Sequence, residues 1–240
     1  MMKKESLYPL LALCLLQNAC VVAAVHVPEQ LINNEIVVQS EEGFFADKSL
    51  KFGIYEATNL DRDWVSSSGM SVGAVGQTKA RQDYRFTLKK NNQAHYEVEC
   101  LNILREQHVS IGAGSLVEMR GIFQCELFES KTGIKRAGFI RPLEENPNTA
   151  SPIDYPEHDW TLKPEHRTSQ GGYVHLLPLG FSIRENSEPI ALVQSVNTKK
   201  IWMRPDLGET QNDIGAAILA GLAFYKPLST WSNRNLMDEE

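Results

Sequence analysis

No apolar run in this chain is long enough to cross a bilayer as a helix. The two longest, Leu7–Leu16 and Ile214–Tyr225, reach ten and twelve residues, against about 20 for a membrane span. Basic residues are also in short supply. Taking Lys3, Lys4 and Glu5 from the 24 Lys and Arg and the 30 Asp and Glu leaves 22 against 29 beyond residue 24. The body is acidic and shows no run of clustered Lys and Arg along the sequence, so nucleic acid is not expected as a partner, because phosphate binding needs a basic face. Cysteine is scarce too: of four, Cys14 and Cys20 lie near the start and only Cys100 and Cys125 belong to the body.

Catalytic signatures are equally thin. Ser182 and Ser195 sit in strand-like sequence and read as ordinary strand serines. Lys131-Thr132-Gly133 matches one fragment of a penicillin-binding pattern, but no Ser-x-x-Lys accompanies it, and it reads as a hairpin turn. The Gly-rich stretch Ser66–Gly76 is followed by Gln77 and Thr78 rather than by Lys and Ser/Thr, so it is no phosphate cradle. It reads as a flexible loop or an irregular edge. No cofactor motif is present.

What is present begins at the N-terminus. Lys3 and Lys4 precede the apolar run, the layout of a secretory signal over residues 1 to 24. Two cleavage sites compete. Leu16–Cys20 resembles a bacterial lipobox, with Cys20 as the lipidation candidate, although the leucine sits four positions before the cysteine and Gln17 stands where an aliphatic residue is usual. Val22-Ala23-Ala24 suits ordinary signal peptidase. The expected location is the periplasm or outer membrane as a lipoprotein, alternatively secretion.

Residues 25–49 read as a tether or first strand, 50–228 as a single β-rich domain, and 229–240 as a polar tail. Leu50, Phe52 and Ile54 alternate as one face of a strand. Tyr84, Phe86 and Leu88 alternate with Arg85, Thr87 and Lys89; Asn91-Asn92 turns the chain, and strands follow over 94–104, 116–128 and 134–140. This is an antiparallel meander. If the second and third of these strands pair about a centre between Gly112 and Ala113, Cys100 faces Cys125, each 12.5 positions away. In an oxidising compartment the pair reads as a disulfide; the alternative is two separately buried thiols.

Five prolines between 142 and 172 predict a long surface excursion without helix or central strand. It holds the densest titratable cluster, Asp154, Glu157, His158, Asp159, Glu165 and His166. His158, Asp159 and His166 are candidate metal ligands if the loop folds back on itself, although no His-Glu-x-x-His spacing is present. The otherwise expected state is a solvated loop. Tyr155, Trp160, Trp202 and Trp231 are candidate linings of a groove for a peptide, glycan or lipid, or core and edge packing. Short strands are expected over 173–179, 181–184 and 189–196, then Ile201-Trp202-Met203 and a helix from about Asp213 to Tyr225, opened by Thr210 and Asp213 as a capping-box variant. Uncharged all round, that helix must be enclosed. Gly215 and Gly221 are expected where neighbouring strands leave no room for a Cβ.

The order Ile201-Trp202-Met203-Arg204-Pro205-Asp206-Leu207 followed by an apolar helix resembles the end of the tubby-like superfamily, which includes LURP-one-related proteins and phospholipid scramblases, over residues 171 to 227. The resemblance implies a closed β-barrel threaded by its last helix. The expected fold is therefore mainly β: an antiparallel meander forming a barrel or strongly curved sheet around a buried hydrophobic C-terminal helix. The expected function is a non-catalytic envelope module that binds a protein partner or a lipid-like ligand without a cofactor, with a possible lipid anchor; the alternative is a hydrolase or metal-dependent enzyme built on residues 154–166.

Overall fold

A computed structural model describes residues 23–42, 47–112, 114–143, 149–169 and 177–228. The signal segment with Cys20, the tail with Trp231 and most of the strand expected over 173–179 lie outside them.

The described strands are β1 (Glu35–Ile36), β2 (Val38–Glu42), β3 (Asp47–Phe52), β4 (Tyr55–Arg62), β5 (Ser66–Val72), β6 (Val75–Lys90), β7 (Gln93–Ile111), β8 (Gly114–Glu129), β9 (Lys135–Pro142), β10 (Ser151–Asp154), β11 (Trp160–Glu165), β12 (Gly180–Glu185), β13 (Glu188–Gln194) and β14 (Lys200–Met203), followed by helix α1 (Glu209–Phe224). They form one antiparallel sheet in the order β1-β14-β13-β12-β11-β10-β9-β8-β7-β6-β4-β3-β2, with β5 paired to β6. The two ends of that order, β1 and β2, are separated in the chain by Val37 alone. The sheet is thus a nearly closed barrel, and α1 runs through it.

The polar and apolar residues of the long strands alternate because one face meets the helix and the other meets water. Phe86 packs edge-on to Phe224 with ring centres 5.2 Å apart, and Phe123 lies 4.6 Å from Tyr225. From Asp213 to Phe224 every helical residue is buried. Asn91 and Asn92, both with positive φ, make the two-residue turn whose twist suits a hairpin. A smaller apolar cluster lies on the outside of β13 and β14, where Leu192 and Trp202 are covered by Val25 and Leu31 of the N-terminal strap.

Several local expectations are corrected. Ile54 is a turn residue, exposed beside Gly53 at φ +56°, because β3 ends at Phe52 and β4 starts at Tyr55. Ser66–Gly76 is an ordered hairpin of β5 and β6. The proline-rich segment contributes two strands inside the sheet. Pro152 is tolerated because β9 pairs only with Ile153 and Asp154, leaving the Pro152 end of β10 an edge on that side. Pro164 lies beyond the residues of β11 that β10 reaches, so its missing N–H costs no ladder bond there.

The helix also starts differently. Gly208 is the N-cap, and its amide donates to Gln211 Oε1 at 2.8 Å. Asp213 is not a cap partner. Its buried carboxylate accepts from Tyr55 Oη at 2.7 Å and Lys90 Nζ at 2.9 Å, with His95 Nε2 also 2.9 Å away. Burial opposes the charge on Lys90, but hydrogen bonds to Glu209 and Asp213 outweigh it and hold the ammonium above the usual lysine range. At the other end, Tyr84 Oη donates to Gly221 O and Arg62 Nη2 to Phe224 O, which satisfies carbonyls that a helix terminus leaves unpaired, and Asn102 Nδ2 donates to Lys226 O just beyond the helix.

Candidate functional site: a projecting blade

The cysteine pair marks where the barrel wall becomes something else. Cys100 and Cys125 are direct cross-strand partners with Cα atoms 4.1 Å apart and Sγ atoms 2.05 Å apart, the distance of a disulfide. The register runs unbroken from Tyr96↔Glu129 to Ile111↔Gly114, so the hairpin centre lies where the sequence places it. Beyond this bond β4 pairs with β6 no further than Tyr84, and β9 pairs with β8 no further than Ile122. Among the described residues, the remaining halves of β6, β7 and β8 form strand pairs only with one another and with β5. They form a four-stranded blade that leaves the barrel wall and extends, from Leu101 to Ile111, for about 33 Å at 3.3 Å per residue.

Directly paired residues share a face, so the registers assign each side of the blade. Val72, Val75, Val109 and Leu116 form one cross-strand row on the face continuous with the barrel exterior, with Ile111 beyond them and Met70 in the next row. Met70, Val72, Ile111 and Leu116 are each at least 60% exposed. The opposite face, continuous with the barrel interior, is buried at Ala80 and Leu104 and then exposes Val117 and Met119 towards the tip. No residue from Ser66 to Thr78 is charged, and from Gln107 to Val117 only His108 can become so. An ordered apolar patch of this kind on both faces is the usual mark of an interaction site.

Two rows behind the apolar row stand Lys79, Arg105 and Arg120, opposite one another across β6, β7 and β8. Like charges directly opposite are destabilising. Arg120 is paired with Glu118; Lys79 and Arg105 have no carboxylate in ion-pair range among the described residues. These two line a shallow depression of about 340 Å³ with Ser68, Gly69, Met70 and Gln77. The arrangement suits an anionic surface.

The residues singled out in the sequence lie elsewhere. Tyr155 and Trp160 are buried in the main core with ring centres 5.1 Å apart, and Trp202 is buried in the outer cluster, so the three do not line a common groove. They are packing residues: strands that face the helix on one side and the strap on the other bury aromatics on both. His158 and His166 flank β11 at opposite ends, roughly 20 Å apart along six strand residues. His158 Nδ1 is 2.7 Å from Glu185 Oε1, which also accepts from Trp160 Nε1 at 3.1 Å. Asp159 is exposed, whereas His166 is buried beside an open pocket of about 540 Å³ that His26, Lys163, Arg167 and Arg184 also line. The candidate ligands His158, Asp159 and His166 are therefore not brought together. Among the described residues no three His, Cys, Asp or Glu side chains converge as a metal-binding group. Ser182 is fully buried and its hydroxyl donates to Glu165 Oε1 at 2.6 Å, while Arg184 takes the same carboxylate.

Family models, curated proteins and solved structures contain no match to this chain. The blade is what the sequence reading missed. Its signal was there: residues 93–111 and 114–129 continue in strand register well past the span needed to face a twelve-residue apolar helix, and the charge-free ends of two hairpins are the part left over.

Proposed function

We propose that the chain is an exported cell-envelope protein that works as a non-catalytic binding or assembly module and engages its partner through the projecting blade. The observation that carries the reading is the uncharged, exposed apolar tip, held out on strands that have no other packing duty. A monomer gains nothing from presenting Met70, Val72, Ile111 and Leu116 to water, since burying each is worth about 1.5 to 3 kcal/mol. Export follows from the arrangement of residues 1 to 24, with Cys20 as the acyl acceptor for a periplasmic or outer-membrane lipoprotein and a secreted form as the other outcome of cleavage. The partner is an envelope protein or a lipid-like ligand. Kinship with tubby-like proteins is carried in this proposal on residues 171 to 227 alone.

Cell fractionation and affinity capture test it together. The protein is expected in the envelope fraction; Cys20→Ser releases an acylated form from membranes, and Leu116→Asp removes whatever wild-type protein captures from solubilised envelopes. Full-length protein in the cytosol, or an identical capture profile for Leu116→Asp, overturns the reading.

A further inference from the structure

We infer that the blade tip docks on an anionic lipid bilayer, with its apolar row entering the headgroup layer and Lys79 and Arg105 resting on the lipid phosphates. The inference rests on the reading of the blade as an interaction surface and names the occupant.

The spacing of the rows fits this occupant. Val75 and Lys79 are four residues apart on the same face of β6, about 13 Å at 3.3 Å per residue. Interfacial protein segments bury their apolar face about 5 to 10 Å into the boundary between headgroups and acyl chains, and the headgroup layer adds roughly 5 to 8 Å on each side of the hydrocarbon. With Val72, Val75, Val109 and Leu116 at the acyl boundary, the backbone of Lys79 and Arg105 stands about 5 to 8 Å outside the headgroup layer, a gap that their long side chains span by reaching down to the phosphates. There phosphate relieves the repulsion between Lys79 and Arg105, which have no carboxylate in ion-pair range among the described residues, whereas Arg120 is already paired with Glu118.

The shape points the same way. A protein interface concentrates its apolar area on one surface, whereas this tip also exposes Val117 and Met119 on its other face, opposite His108 and Glu106. A wedge exposed all round suits a medium that surrounds it. The depth is limited by the backbone. Among the described residues, β5 and the Gly114–Arg120 stretch of β8 each have one unpaired edge, and unpaired N–H and C=O groups are not tolerated in hydrocarbon. Insertion therefore stops in the headgroup region.

The test is flotation of the exported full chain carrying Cys20→Ser, so that no acyl anchor contributes, with vesicles of phosphatidylcholine alone and of phosphatidylcholine mixed with phosphatidylglycerol. The chain should float with the anionic vesicles and far less with the neutral ones, and added salt should weaken binding. Lys79→Ala with Arg105→Ala should weaken binding about thirtyfold, each cation near an anionic surface being worth about fivefold. Leu116→Asp should lower it tenfold or more at unchanged melting temperature, the side chain being exposed. Ile111→Asp gives a second tip variant on β7. Absence of binding to anionic vesicles, or binding that both the tip and the cation variants retain, overturns the inference. If a photo-crosslinker at position 116 captures a protein in cells while vesicles do not bind, the lipid assignment fails and the blade remains an interaction surface; if neither occurs, both readings fail.

Discussion

Replacing Gly221 by alanine puts a methyl group 3.3 Å from Cys125 Sγ and 3.4 Å from Cys100 Sγ. Neither side has slack. The sulfurs are bonded across two paired strands, and the helix is held at that level by the hydrogen bond from Tyr84 to the Gly221 carbonyl. At Gly215 the same methyl meets Met203 Cε at 3.9 Å and Trp160 Cη2 at 4.0 Å, which is ordinary contact. The expectation that both glycines are forced by close approach is therefore corrected: the squeeze exists at Gly221, and Gly215 has room. Alanine in a helix interior is favoured over glycine by about 1 kcal/mol, so Gly215→Ala should stabilise the domain by about that amount, a rise of roughly 2 to 4 °C in melting temperature. At Gly221 the same gain is set against overpacking of about 1 to 3 kcal/mol, and Gly221→Ala should be neutral to destabilising by up to about 2 kcal/mol. Removing the sulfurs should invert the sign. In a chain carrying Cys100→Ala and Cys125→Ala, Gly221→Ala should become stabilising, and urea midpoints for the four combinations close a double-mutant cycle with a coupling of about 1 kcal/mol or more. Equal effects of Gly221→Ala with and without the cysteines, or destabilisation by Gly215→Ala, would refute the packing argument.

Four further outcomes are expected. Cys100 and Cys125 should resist thiol labelling in the native, unreduced protein, and replacing both by alanine should cost about 3 kcal/mol for their loop, read as a drop in the urea midpoint. Leu219→Asp buries an unpaired carboxylate in the apolar axis, costing several kcal/mol against a typical total of about 5 to 15; folded protein should not accumulate, whereas Glu209→Lys, at an exposed position paired with Lys90, should lose about 1 kcal/mol or less. Arg141 is buried, its Nε and Nη1 make no hydrogen bond among the described residues, and burial pushes its pKa down; Arg141→Met should raise stability by about 1 kcal/mol, and a lowered urea midpoint would refute the argument by showing that contacts such as that with the Phe181 ring outweigh the cost of burying the charge. Burial holds the Tyr84 phenol protonated well above the usual value of 10.0, so above that pH the unfolded chain binds fewer protons than the folded one and stability should fall by about 1.4 kcal/mol per pH unit from this residue, with Tyr84→Phe flattening the slope.

The parts of this fold that could be read from sequence are those in which one physical constraint acts alone. A charge-free stretch from Ile214 to Tyr225 has to be enclosed whatever surrounds it, and a hairpin whose turn is fixed by Gly112 has to set Cys100 against Cys125 if no bulge intervenes. The proline-rich segment was misread because a strand's tolerance for proline depends on its neighbours: Pro152 and Pro164 are admitted only because β10 is staggered between β9 and β11, and no local pattern records a stagger. The histidines were misread for the converse reason. Closeness in sequence is closeness in space only in a loop, and once Trp160–Glu165 becomes a strand, His158 and His166 are driven to its opposite ends. The blade follows the same logic in reverse. Ser66–Gly76 is poor in strand-forming residues and on its own reads as a loop; it becomes β5 because Val75–Arg81 of β6, already held by β7, offers it an unpaired edge. Small serines and a glycine fill that edge without adding apolar contact to the barrel, so nothing in the core's stability requires the strand. A segment ordered by its neighbours, contributing little to their packing, and ending in exposed valine and methionine is what the proposed engagement of a partner through the blade requires.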